Sequence, residues 1–267
     1  MNNVTVAIPN YNTSMYIETC IKYFLKSKII NEIIICDDAS KYSDVKELEN
    51  LVHKLREKTD KEIILLKNSK NIGQYENNIK LVKASSNELV YVIDADNVPQ
   101  KNIDKTIKHI FSCGVTNYIY MPSKIYQFKN FYVLSKFLRW IDKYYIVRFS
   151  KSNMLINIEM VKDYFINDTK YTIDKHLMWV MGIGNFFVYK STFINQVPSN
   201  YGKINNLDMT ADFLAICYFY LNAGGKIYLL KNFYHFHRKR TDSAAFLLND
   251  SFMNSIESFK KKFISKD

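Results

Sequence analysis

Four short apolar runs in the first hundred residues constrain this chain most: VTVAIP (4–9), EIIICDD (32–38), EIILLKN (62–68) and ELVYVID (88–94). Between them lie stretches of helical period. Tyr16, Ile17, Cys20, Ile21 and Phe24 recur at helical spacing after the cap residues Asn12 to Ser14. Val45, Leu48, Leu51, Val52 and Leu55 share one face of 45–58, and 75–84 is a further helical stretch. Strands separated by helices predict a parallel sheet with right-handed crossovers. Runs this continuously apolar are covered on both faces. The expected fold is therefore α/β, with a Rossmann-like, mostly parallel central sheet flanked by helices. In such sheets ligands bind beyond the carboxyl ends of the strands. Pro9-Asn10-Tyr11-Asn12, Asp37-Asp38 and Asp94-Ala95-Asp96 all fall at those ends. Their convergence points to a nucleotide-dependent enzyme.

The second half is less regular. Residues 102–112 read as a helix, and 117–128 as a strand interrupted at Pro122. Residues 184–193 read as a strand followed by a turn or helix. Residues 211–225 read as a buried helix closed by glycine, and 226–230 as a strand. In the tail, Phe252, Ile256, Phe259 and Phe263 fall on one face, a helical C-terminal extension. The segment 130–149 is aromatic and basic. It suits sugar stacking or a membrane interface, and equally a helical insert packed on the core.

The cysteines at 20, 36, 113 and 217 form no CxxC pair, against a zinc site or a disulfide framework. The net charge of +11 suits an anionic partner, or only a lysine-rich surface. The start MNNVTVAIPNYN lacks the basic end and apolar core of a secretory signal. No uncharged run reaches the roughly 18 residues of a membrane span. The expected location is cytoplasmic, with the inner face of the membrane left open.

On an extended chain Asp94 and Asp96 point to one side and repel unless a cation is near. Carboxylate oxygens with substrate phosphates suit Mn2+ or Mg2+. A solvated acidic turn is the bland alternative. There is no GxxxxGK[ST], and no GxGxxG follows the first strand, so phosphate charge would fall mainly to a metal.

In order, VTVAIPNYN, IIICDDAS, NIGQYENN and VIDADN resemble the signatures of family 2 glycosyltransferases of the glycosyltransferase-A fold. The match is specific over 4–99 and weaker to about 242. The resemblance implies that Pro9 and Tyr11 line the base and ribose of a nucleotide. It implies that Asp38 hydrogen-bonds the base, typically uracil. Asn71, Gly73 and Asn78 would shape the adjoining loop and helix. In Asp94-Ala95-Asp96, Asp94 would contact ribose or a metal-bound water, and Asp96 would ligate the metal. Asn97 stands where the family usually has an acid or small residue. The implied division is 1–99 for the nucleotide sugar, 100–242 for the acceptor and 243–267 for the tail.

The resemblance also implies an inverting transfer with a carboxylate base, from a Glu-Asp pair opening a helix. Here the matching stretch is Ala211-Asp212-Phe213, so Asp212 is the candidate and Asp208 the alternative. Asp212 as a mere helix cap is the other reading. HFHRKRTDS (235–243) resembles the family's diphosphate region. His237 would be a further metal ligand and Arg238 or Lys239 a phosphate partner, with His235 or a plain basic loop as alternatives. Gly182 and Gly184 would admit a ligand near the acceptor, and Asn185 would bond sugar. The expected partners are a nucleotide-sugar donor, UDP-linked, and a glycan or lipid-linked acceptor in surface polysaccharide or glycolipid synthesis, with no nucleic acid. Membrane contact and self-association stay open. The competing functions are a nucleotidyltransferase and a polyanion- or membrane-binding protein.

Overall fold

A computed structural model describes residues 3–129, 145–167, 181–182, 184–201, 212–239 and 249–264. The first half alternates as expected: β1 (Val4–Asn10), α1 (Ser14–Ile21), β2 (Ile30–Asp37), α2 (Tyr42–Arg56), β3 (Glu62–Lys67), α3 (Gln74–Ala84) and β4 (Leu89–Val92). Then follow β5 (Val98–Pro99), α4 (Ile103–Cys113), β6 (Tyr118–Lys129), β7 (Tyr145–Arg148), β8 (Met154–Ile156) and α5 (Ile158–Asn167). The last elements are β9 (Phe186–Tyr189), α6 (Lys190–Gln196), α7 (Asp212–Asn222), β10 (Lys226–Lys239) and α8 (Asn249–Ile264).

The ten described strands join one sheet in the order β3-β2-β1-β4-β9-β6-β10-β5, with β7 on β6 and β8 on β10. From β3 to β4 every pairing is parallel. Beyond β4 the sheet is mixed: β9 is antiparallel to β4 and β6, and β10 is parallel to β6. Side chains alternate to two cores. Val6, Ile8, Ile33 and Ile35 pack with Ile17, Leu48, Val52 and Ile107 of α1, α2 and α4. Ala7, Ile34, Cys36, Val90 and Val92 pack with Ile79, Phe193 and Phe213 of α3, α6 and α7. Each fully buried valine, leucine, isoleucine or phenylalanine among them contributes roughly 1.5–3 kcal/mol. Tyr91 of β4 stacks on Phe187 of β9 at 4.2 Å and 11°, which ties the parallel half to the mixed half. In the tail, Phe263 of α8 meets Phe165 of α5 and Tyr218 of α7, at 5.6 and 5.0 Å. The helical extension is therefore docked.

Two elements differ from expectation. Strand β6 runs through Pro122, whose register partner Leu230 lies beside an irregularity in β10. A missing donor is tolerated where the ladder already shifts. Strand β10 does not stop at 230 but continues to Lys239, so the 235–239 stretch is sheet and not a basic loop. Of the aromatic segment, 130–144 lies outside the described residues, and 145–148 is a strand on β6. No described helix is long and apolar enough to cross a membrane.

Candidate functional site

The ends of β1 and β2 are tied by side chains. The Asn10 amide donates to Asp37 Oδ1 at 2.8 Å and to Asp44 Oδ2 at 3.1 Å. Helix α1 has no cap of its own, and Asp44 of α2 accepts from the Ser14 N–H at 3.1 Å instead. Asn12 and Ala39 have φ of 55° and 58°. Such left-handed residues cost about 1–2 kcal/mol each, and they cluster where function fixes the backbone. The Asn12 N–H donates to Ser40 Oγ at 2.8 Å, so the two strained turns hold each other. This frame leaves Pro9 half-buried and Tyr11 exposed at 42%. Tyr11 is not a core residue.

Asp38 is buried at 3% exposure. Its Oδ1 accepts from Asn68 Nδ2 and the Ile72 N–H, both at 2.8 Å, and its Oδ2 from the Gly73 N–H at 2.9 Å. The carboxylate expected on a base thus closes the 71–73 loop in this structure. Asn71 is exposed and its Oδ1 also accepts from the Gly73 N–H. Gly73 has φ +85°, a conformation that calls for glycine. Asn78, one turn into α3, is fully buried and reaches away from the loop, to Asp212.

The two-acid stretch is a turn, not an extended strand. Strand β4 ends at Val92, and the Asn97 N–H donates to the Asp94 carbonyl at 3.1 Å. The same-side argument therefore fails, because four residues that close a turn do not alternate. Asp94 is instead oriented by amides: Gln74 Nε2 at 3.1 Å and Asn97 Nδ2 at 3.2 Å on its carboxylate, Asn185 Oδ1 at 2.8 Å on its N–H. Ala95 is buried, while Asp94 and Asp96 are half-buried. A Cβ at Gly184 would lie 2.9 Å from Asp94 Oδ1. Gly184 admits this carboxylate rather than a ligand.

Strand β10 lies behind the turn, with Phe236 paired to Val98. The Arg238 N–H donates to Asn97 Oδ1 and its Nε to the Asp96 carbonyl, both at 3.1 Å. Its guanidinium sits between the rings of Tyr16 and Phe128, at 4.6 and 4.7 Å. His237 is half-buried on the opposite face of the same strand. His235 is fully buried, and burial pushes it well below the usual histidine range. Asn185, expected to bond sugar, is fully buried and bonds His235 Nε2 at 2.9 Å instead.

Asp212 is the first residue of α7 and 6% exposed. Burial pushes its carboxyl up to about 7, against the lowering pull of backbone N–H groups of Phe213 and Asp212. Asn78 Nδ2 donates to its Oδ2 at 3.4 Å. Gln74 and Asn78, one turn apart on α3, thus touch Asp94 and Asp212 respectively. The structure brings together Asp38 with Asn71 and Gly73, and Asp94, Asp96 and Arg238 with β10. Asp208, Ala211 and residues 240–248 lie outside the described residues. Gln74, Gly184 and the Asn185–His235 pair gained roles that sequence reasoning missed. The GN dipeptide before an apolar strand was the available signal.

Among the described residues no three His, Cys, Asp or Glu side chains form a metal cage. Asp96 fits Mn2+ or Mg2+ by donor chemistry, since such ions take a carboxylate or two and complete their shell with substrate phosphate and water, whereas the nitrogen of His237 suits Mn2+ better than the harder Mg2+.

Residues 5–190 match the family described as Glycosyl transferase family 2. By shape the chain is similar to S. aureus TarS 1–349 in complex with UDP: TM-score 0.59, 15% identity, 99% of this chain and 70% of that chain. The same segment in complex with UDP-GlcNAc gives a TM-score of 0.59 at 15% identity, over 99% of this chain and 71% of that one. Against a longer TarS chain the values are 0.56 and 14%, over 99% of this chain and 42% of that one. At such identities the likeness is one of fold. No curated protein matches by sequence.

Proposed function

The chain belongs to glycosyl transferase family 2 and is a glycosyltransferase of the glycosyltransferase-A fold, and from that premise we propose an inverting, metal-assisted transfer from a UDP-sugar to a hydroxyl of a glycan or lipid-linked acceptor. The observation that carries this reading is the bridge along α3: one helix, by two amides a turn apart, orients both the two-acid turn and the buried carboxyl of Asp212. A donor group and a proton acceptor are thereby fixed in one frame, as a single displacement requires.

In this reading Asp212 takes the proton of the acceptor hydroxyl as that oxygen attacks the anomeric carbon. A base of about 7 is matched to neutral pH. Charge develops on the sugar as in glycoside hydrolysis, and one displacement inverts the anomeric centre. Asp96 and His237 would hold a divalent ion. When bound, that ion supplies Lewis-acid stabilisation to the leaving diphosphate. Asp94, held by Gln74 and Asn97, presents its carboxylate to the ribose. Arg238 brings a guanidinium to the same turn. Tyr11 and Pro9 flank the base, and the Asp38–Gly73 loop borders it, with Asn71 exposed on that loop. The solved structures with UDP and UDP-GlcNAc belong to a protein of this fold, which supports a uridine donor.

Calorimetric titration of UDP tests the reading. The expected result is binding with Mn2+ present and its loss on chelation. Absence of binding under both conditions removes the uridine donor.

A further inference from the structure

The sheet ladder stops pairing β4 at Val92, whose register partners are Ala7 and Phe186. The Ile93 N–H still finds the Ala7 carbonyl at 3.0 Å. The Asp94 N–H lies one residue further and has no strand to bond. A buried donor left unpaired costs about 1–3 kcal/mol. Asn185 supplies the missing acceptor through Oδ1 at 2.8 Å. That contact fixes the amide's orientation, so its NH2 group points at His235 Nε2, 2.9 Å away. Both side chains are fully buried, and water cannot substitute for either partner. An NH2 group facing Nε2 requires a lone pair there. That orientation puts the ring proton of His235 on Nδ1, where the described residues offer it no acceptor.

We propose that Asn185 and His235 form a buried relay that positions Asp94, carrying the register of β10 through β9 to the two-acid turn. Gly184 completes it. It gives the Asp94 carboxylate room that a Cβ would take, 2.9 Å from Oδ1, while the next residue holds the Asp94 N–H. Asp94 is thus fixed from both ends: N–H by Asn185, carboxylate by Gln74 and Asn97. Neither relay residue reaches the substrate; both act through Asp94. Only the expected effect on donor affinity rests on the donor-site reading above.

The first test needs no variant. In 15N-histidine-labelled protein, long-range proton–nitrogen spectra report the tautomer of His235, assigned by the spectrum of His235→Gln. Expected is a proton on Nδ1 and a pyridine-like Nε2. A proton on Nε2 overturns the relay, because two donors would then face each other and the amide would have to turn away from Asp94. The second test is hydrogen exchange. Asn185→Ala should speed exchange of the Asp94 amide relative to Ile93, and should weaken UDP binding with Mn2+ by about 10–100-fold, the usual scale for such outer contacts. His235→Phe should do the same, and the double variant should be no worse than either single. His235→Gln, whose carbonyl can accept from Asn185, should recover most of the affinity. Unchanged Asp94 exchange in a folded Asn185→Ala protein overturns the proposal. If the wild type binds no nucleotide, the donor reading fails, while the tautomer and the exchange still decide the relay.

Discussion

Asp212 sits at the first turn of α7, where helix polarity favours the carboxylate and burial opposes it. Burial prevails and pushes the group up to about 7 from an ordinary 3.8. The folded state therefore holds its proton more tightly than the unfolded chain. Stability from this group is full below pH 4 and is lost as pH rises toward 7. Above that, an ionised Asp212 costs on the order of 4 kcal/mol. Activity runs the other way, because a general base must be ionised: kcat/KM should climb through about pH 7 and then level. Asp212→Asn should lower kcat by about 100-fold or more, leave UDP binding intact, and raise Tm at pH 8 more than at pH 5. A Tm that falls equally at both would mean a paired, ionised acid, against this account. At Gly184 the argument is steric. Gly184→Ala places a methyl against the Asp94 carboxylate. It should weaken donor affinity by about tenfold, in line with contacts one step removed from a ligand, as read by the same calorimetry.

Strand β10 shows where a single sequence is legible and where it is not. The parallel half was readable because every apolar run ends in polar residues and every crossover has a helical stripe. The Phe259 and Phe263 face of the tail was also readable, and both are buried. In β10 the alternation Tyr234, His235, Phe236, His237, Arg238 has a strand period, but its charge leaves a basic loop as an alternative. The Asn185–His235 pair was illegible for another reason. It joins residues fifty apart through the order β4-β9-β6-β10, and strand order is not written in local pattern. Strand alternation does not carry into the 94–97 turn, because β4 pairing ends at Val92. For β10 the testable contact is Arg238, held between two rings with Nε on the Asp96 carbonyl. Lysine keeps the charge but not the plane or the fork. Arg238→Lys should weaken metal-dependent UDP binding severalfold, and Arg238→Ala should weaken it no less. Full retention by the lysine variant would make Arg238 a charge alone.

Across the molecule, the two-acid turn and part of its support come from opposite halves of one sheet. Asp94 and Asp96 follow the parallel strand β4, while Asn185 immediately precedes β9 and His235 and Arg238 belong to β10. A donor seated on the turn should stabilise both halves together, since Tyr91 and Phe187 already couple them. At a ligand concentration near 100 times Kd the gain is about 2.7 kcal/mol, several degrees in Tm. UDP with Mn2+ should produce this shift as one transition, and chelation or Asp96→Asn should abolish it. The net charge of +11 offers a competing cause, because any anion would be drawn to such a surface. Salt separates the two. Diffuse attraction fades when the screening length falls to about 8 Å at physiological ionic strength. A shift that survives there, needs the metal and is absent with inorganic phosphate belongs to the turn. A shift that persists under chelation and disappears with salt belongs to the charge, and the metal-assisted reading would then fall.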